Sequence, residues 1–405
     1  MNDHKINPLI IYPMDPAGRK IGGIETFIKN FIKYAPDDFD ISFVGVSSEA
    51  EERSAITWRQ IEVHSRTIDF LPLLHVRDEN RRTRVPLSLN FTLALYRHRK
   101  EIDFARKIIE FHRMEPAIPL NNVPCRKLLF VHGNMVDLHN PGSEVKWRRM
   151  PSLYFSIEKK VIKGIDRVFV VRQDGVEFYR KRYPFMKERF SFLPTWVDEE
   201  TFHPLERDVE ITEKRKVCEE KGFPVDSRLV LFVGRLEGQK NPMLLLDTFN
   251  YVSKHLPETR LLIIGTGSLR TPMESRARSL GLLERIHFFG ALSQEHVASL
   301  MRISDVFLLS SAFEGMPMSI LEAQGCGLPV VSTNVGEVRN VVKNGLSGII
   351  VNEHNPVSLG NAVIRVLNDR ETFSTRNCLG AIREHTARRI LKKLYQEHYA
   401  LWENQ

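Results

Sequence analysis

The sequence predicts an α/β protein made of two doubly wound, Rossmann-like domains with mostly parallel sheets. Short apolar runs of strand length alternate with amphipathic stretches through both halves, the pattern of parallel sheets covered by helices. The length, 405 residues, suits two domains of roughly 200 residues each. Between them lies Leu193–Pro204, with two prolines, several charges and no periodicity, which reads as a linker.

Taken in order, 9–12 is strand-like, 23–33 helical and 41–46 strand-like; 90–112 is a long helix, and 128–131 and 168–171 are further strands. In the second half, strands are expected at 229–233, 261–264, 286–289, 306–309, 330–332 and 348–351, with helical patterns between them. The last stretch, 387–402, is amphipathic. The expected domains are 1–197 together with 386–405, and 198–385.

Composition narrows the class. Hydrophobic residues make up 42% of the chain, enough for two cores. No run of about 18 apolar residues suggests a membrane span, and the N-terminus lacks a signal-peptide pattern, so a cytoplasmic protein is expected. Cys125, Cys218, Cys326 and Cys378 form no Cys-x-x-Cys pair and read as reduced structural thiols. The net charge of +8 is uneven: residues 1–197 hold 33 Lys and Arg against 24 Asp and Glu, the remainder 25 against 26. Basic clusters at 77–84, 97–107, 146–163 and 180–189 interleave with apolar residues. They suit docking on an anionic membrane surface, or simply a solvated helix face. Nucleic acid is not expected as a partner, because no zinc-finger, RNP or helix-turn-helix pattern accompanies the charge.

The most informative segment runs from Phe313 to Val331. It is a strand-to-helix loop, and open parallel sheets bind ligands at such loops. Pro317 suits the first helical turn, Ser319 is a nearby alternative cap, and Gly325 and Gly327 stop the helix. Glu314 therefore falls in the loop and Glu322 inside the helix. Backbone N–H groups and the helix end welcome an anion such as phosphate, while carboxylates accept hydrogen bonds from sugar hydroxyls. Two cations, Arg235 and Lys240, follow the strand at 229–233 and suit phosphate oxygens. Gly22 and Gly23 open a helix after the first strand, where glycine permits close backbone approach. Gly265 and Gly267 form a short turn after another strand, too incomplete for a dinucleotide fingerprint. His132 ends a strand, where a lone histidine is more often structural than catalytic. Asp38-Phe-Asp40 has nothing around it to hold a nucleotide and reads as a solvated turn.

Glu-Gly-x-Pro followed by a second Glu and Ala resembles the E-x7-E signature of retaining GT-B glycosyltransferases of the family 4 type. The resemblance is strongest over 229–351 and weak over 49–126. It implies a GT-B fold, with the two domains facing across a cleft and the terminal helix crossing back to the first. It implies that Glu314 contacts the donor sugar and Glu322 the ribose, with Gly315, Met316, Pro317 and Met318 offering backbone to sugar and diphosphate. Arg235 and Lys240 would clamp the diphosphate, Gly22 and Gly23 would face it, Gly265 would belong to a small second-domain loop, and Leu292 would help frame the base. His132 would lie near donor sugar and acceptor. The linker departs from the family's Asn-Gly-Val-Asp, having Thr195-Trp196 in place of Asn-Gly. The implied function is transfer of a hexose-type sugar from a GDP- or UDP-sugar to a glycan or lipid-linked acceptor, without a cofactor or a metal. The first domain would bind the acceptor and the second the nucleotide sugar. Alternatives are another GT-B enzyme, such as a sugar-nucleotide epimerase, or a non-catalytic nucleotide-sugar binder.

Overall fold

The computed structural model describes residues 5–18, 22–48, 56–77, 85–132 and 151–404. The basic positions at 78–84 and 146–150, and Gly133 and Asn134 beside His132, lie outside the described residues. The chain divides into two compact units: 1–194 with 388–405, and 195–387.

Unit 1 is built on an eight-stranded sheet. Its strands are β1 (Pro8–Ile11), β2 (Ser42–Ser47), β3 (Arg59–Val63), β4 (Arg66–His75), β5 (Ile108–Phe111), β6 (Arg126–Val131), β7 (Arg167–Val170) and β8 (Phe190–Phe192). Their order is β3-β4-β2-β1-β5-β6-β7-β8, parallel throughout except for the β3–β4 hairpin. All four residues of β1 are buried, as expected for a central strand covered on both faces. The strand order reverses between β1 and β5, which makes that point the natural ligand crevice of this sheet.

Two elements differ from the sequence expectation. The segment 90–112 is not one helix: α2 (Leu87–His98) ends early, and β5 follows in the sheet. Asp103 accepts a hydrogen bond from the Ala105 amide at 2.9 Å, an Asx turn that competes with helix. Arg106 takes a left-handed φ of 49°. Pairing of Ile108–Phe111 with both β1 and β6 then overrides the helical periodicity. The β3–β4 hairpin, absent from the sequence reading, hides its strand signal behind Pro72. Pro72 sits opposite Gly45, where the register shifts, and beyond the last β3 partner, Phe70. Proline is tolerated at such an irregular edge.

The terminal helix α13 (Ala387–Glu403) belongs almost wholly to unit 1. Its buried Ile390, Leu391, Leu394, Tyr395 and His398 share one face. Tyr395 packs against Phe31 and Phe39, with ring centroids 5.2 Å apart in both pairs. Tyr399 donates to Asp38 at 2.8 Å, so that turn aspartate anchors the last helix.

Unit 2 holds six parallel strands: β9 (Arg228–Val233), β10 (Thr259–Ile264), β11 (Ile286–Gly290), β12 (Val306–Leu309), β13 (Val330–Thr333) and β14 (Gly348–Val351). Their order, β11-β10-β9-β12-β13-β14, is the doubly wound order with its reversal between β9 and β12. Along β9, Leu229 and Leu231 enter one apolar cluster, Val230 and Phe232 another. Both faces are therefore dry, which explains the unbroken apolar runs in the sequence. Among the described residues no helix is long and apolar enough to cross a membrane.

Candidate active site

The switch point of unit 2 gathers most of the nominated residues. After β9 the chain turns through Gly234–Asn241 into α6 (Pro242–His255). Asn241 makes the turn possible: it takes a left-handed φ of 46° and caps the helix, accepting from the Leu244 amide at 3.4 Å. After β12, Ser310 donates to the carbonyls of Lys240 and Asn241 at 2.9 and 3.1 Å. The Ala312 amide donates to the Gln239 carbonyl at 2.8 Å. These bonds tie the two loops together.

The tie places Lys240 Nζ 2.6 Å from Glu314 Oε1. Ser311 Oγ donates to the same carboxylate oxygen at 2.6 Å, and Gln239 Nε2 reaches Oε2 at 3.5 Å. Glu314 is buried, with 8% of its surface exposed, so a charge-bearing partner and a hydroxyl offset its desolvation. Arg235 is exposed and donates to Gln239 Oε1 at 3.1 Å, leaving its guanidinium at the rim.

The loop after Glu314 is backed by β13's own exit loop. Gly336, at φ 52°, lies so close that a Cβ there would overlap the carbonyl oxygens of Glu314 and Gly315. The Glu337 amide donates to Gly315 O at 2.9 Å. Gly315, Met316 and Pro317 thus form a loop supported from behind and leading into α9 (Met318–Gly325). Pro317 caps this helix rather than standing in its first turn, and Ser319 is inside it. The helix ends in a Schellman arrangement, Leu328 N to Ala323 O at 2.9 Å and Gly327 N to Gln324 O at 3.0 Å, with Gly327 at φ 78°.

Glu322 stands on α9, partly buried. Burial pushes its carboxyl up to about 7, with Lys240 opposing the shift and Asp198 adding to it. Lys240 therefore acts electrostatically on both glutamates. Gly265 is required by a close approach: at φ 135°, a Cβ there would overlap the carbonyl oxygen of Gly234. It supports the Arg235 loop from the side. Leu292 follows β11 and packs against the apolar cluster containing Leu229 and Leu309.

In unit 1, the switch point between β1 and β5 carries a different chemistry. Gly22 caps α1 (Gly23–Tyr34) in an extended conformation. The buried Glu25 carboxylate folds back to where a Gly22 side chain would stand and accepts from Tyr12 Oη at 3.1 Å. His132, at the end of β6, lies 3.0 Å from the ring of His112, its Nε2 to His112 Nδ1. The edge of Phe27 meets His132 with centroids 4.9 Å apart. Burial, reinforced for His132 by its neighbour His112, pushes both imidazoles below their ordinary range, so both rings are neutral near pH 7.

Several participants escaped the sequence reading. Ser311 and Gln239 carried a faint signal, as polar residues bracketing strand-exit loops. Asp198 sits in the linker and was read only as a boundary. His112 and Glu110 were hidden inside the mistaken long helix.

Fold and site together define a GT-B architecture. The chain superposes on the sucrose-phosphate synthase of Thermosynechococcus elongatus with a TM-score of 0.78 at 18% identity, covering 99% of this chain and 100% of that one. It superposes on Anabaena HepE, solved with UDP and glucose, with a TM-score of 0.71 at 15% identity, covering 96% and 98%. A family model described as glycosyl transferases group 1 matches residues 213–380. The matched segment contains the strands, loops and helix just described. Among curated relatives, an Escherichia coli UDP-Gal:alpha-D-GlcNAc-diphosphoundecaprenol alpha-1,3-galactosyltransferase is 28% identical over 270 residues, 66% of each chain. A D-inositol 3-phosphate glycosyltransferase of Xylanimonas cellulosilytica is 30% identical over 217 residues, 52% of this chain and 51% of that one. The chain spans about half to two thirds of the length of these relatives.

Proposed function

We propose that this protein is a retaining glycosyltransferase. In this reading it moves a hexose-type sugar from a nucleoside-diphosphate donor, UDP- or GDP-linked, to a hydroxyl of a glycan or lipid-linked acceptor. The observation that carries this is the Lys240–Glu314–Ser311 cluster at the unit 2 switch point, beside the start of α9. Lys240 and Arg235 would bind the diphosphate, and the backbone of 315–318 would add N–H donors. Glu314 would accept from the sugar hydroxyls and Glu322 from the ribose. As the bond from anomeric carbon to phosphate oxygen breaks, the fixed cations would stabilise the departing diphosphate. The acceptor oxygen would bond to the same face of the sugar, its proton passing to the leaving phosphate. Two fixed cations give the diphosphate its counter-charge without a metal. His132 and unit 1 would serve the acceptor.

The basic surplus of unit 1 supports a lipid-linked acceptor presented at the cytoplasmic face of an anionic membrane. On α2, Leu89, Leu93 and Tyr96 form an exposed apolar stripe at helical spacing, with exposed Val85 just before the helix and exposed Arg97 and Lys100 at its end.

A panel of UDP-, GDP- and ADP-sugars, scored by nucleotide release with Glu314→Ala as control, tests the proposal. One donor should give release that the variant lacks, and proton NMR of the product should report the donor's anomeric configuration. Absence of binding by every donor would sink it, and an inverted product would remove the retaining mechanism.

A further inference from the structure

Behind His132 runs a buried polar chain that the transfer reaction does not itself require. Glu110 and His398 have no exposed side-chain surface, and His112 is 3% exposed. His398 Nδ1 lies 2.9 Å from the Leu394 carbonyl, and its Nε2 lies 2.8 Å from Glu110 Oε1. A carbonyl only accepts, so Nδ1 carries a proton. The second carboxylate oxygen, Glu110 Oε2, faces His112 Nε2 at 3.7 Å, and neither atom has a hydrogen-bond partner among the described residues. A lone pair on His112 Nε2 would repel the carboxylate, so the proton of this neutral ring belongs on Nε2. His112 Nδ1 is then an acceptor, and only an Nε2–H of His132 can satisfy it across 3.0 Å.

We infer that Glu110 is a positioning residue that acts through His112 to hold His132 in the Nε2–H tautomer, leaving Nδ1 as that ring's hydrogen-bond acceptor. His132 then receives a hydroxyl proton in a hydrogen bond and cannot donate from that nitrogen. Its relevance to catalysis rests on the glycosyl-transfer reading, but the tautomer itself does not.

Long-range proton–nitrogen NMR of the imidazoles, assigned with His132→Gln, tests this on the whole unliganded protein. Wild type should show His132 protonated at Nε2 alone. Glu110→Gln should preserve that spectrum, because its amide oxygen can face His112 while its NH2 faces a neutral His398. Glu110→Leu should give a tautomer mixture at His132. With an active donor, kcat in that variant should fall roughly tenfold, about one lost hydrogen bond, with the donor KM unchanged and activity kept in Glu110→Gln. A wild-type His132 protonated at Nδ1 overturns the inference whether or not any variant folds. So does a folded Glu110→Leu with an unchanged His132 spectrum. Because the spectra need no donor, failure of transfer in wild type would count against the assigned reaction alone.

Discussion

Both units place their candidate residues where the strand order reverses, yet they fill that place differently. Unit 2 sets a lysine and a buried glutamate in contact at 2.6 Å, with an arginine at the rim. Unit 1 sets two neutral imidazoles against phenylalanine rings, with Glu110 held beneath them. One topology thus yields a site suited to a charged ligand and another suited to an uncharged hydroxyl. The difference comes from the side chains set on those frames: Lys240 and Glu314 on strand-exit regions in unit 2, and Glu110 within β5, His112 and His132 just past strand ends and His398 on α13 in unit 1.

The largest expected effect separates the two cations of unit 2. Lys240→Ala removes the partner of a buried carboxylate and the proposed phosphate contact, so kcat/KM for nucleotide release should fall on the order of 100- to 1000-fold. Arg235→Ala, at the exposed rim, should cost about tenfold. Equal losses would show that burial does not rank these residues.

A smaller effect distinguishes Glu322 from the imidazoles. Its carboxyl is raised to about 7 in the folded chain from an ordinary value of 4.5. Between those values the folded form keeps a proton that the unfolded form has released, so its contribution to stability is present below pH 4.5 and is lost as pH rises towards 7. If the ribose needs the carboxylate, donor KM should fall as pH rises through about 7, and Glu322→Gln should flatten that profile. A Gln variant with the wild-type profile would remove Glu322 from donor binding.

The smallest effect concerns the apolar stripe of unit 1. Leu89→Asp with Leu93→Asp should reduce co-sedimentation with anionic vesicles several-fold, because each change removes apolar surface and adds a charge that an anionic surface repels, and leave nucleotide release with a soluble acceptor unchanged. Unaltered sedimentation would assign the stripe no membrane role.

The sequence disclosed the two regions unequally, for physical reasons. In unit 2, apolar runs mark the six parallel strands, unbroken at 229–233, 261–264 and 306–309, and Gly327 and Pro317 mark helix ends by their own backbone preferences. Glu314, Lys240 and Arg235 were legible because their loops leave those strands directly. Contact between Lys240 and Glu314 was not legible, since it depends on Ser310 holding two loops that are 70 residues apart in sequence. In unit 1, Ile108–Phe111 follows a helix without a strong breaker, and tertiary pairing rather than local preference makes it a strand. Losing that strand hid Glu110 and His112. Partnership with His398 lies 288 positions away and carries no local signal.

The central claim, that the unit 2 pair rather than the unit 1 imidazoles holds the nucleotide, is tested most directly by equilibrium titration. Wild type, Lys240→Ala and His132→Ala would each be titrated with UDP or GDP, whichever the donor panel selects. Affinity should fall about tenfold or more in Lys240→Ala and stay at the wild-type value in His132→Ala. Wild-type affinity in Lys240→Ala, or loss of binding in His132→Ala, would contradict the account.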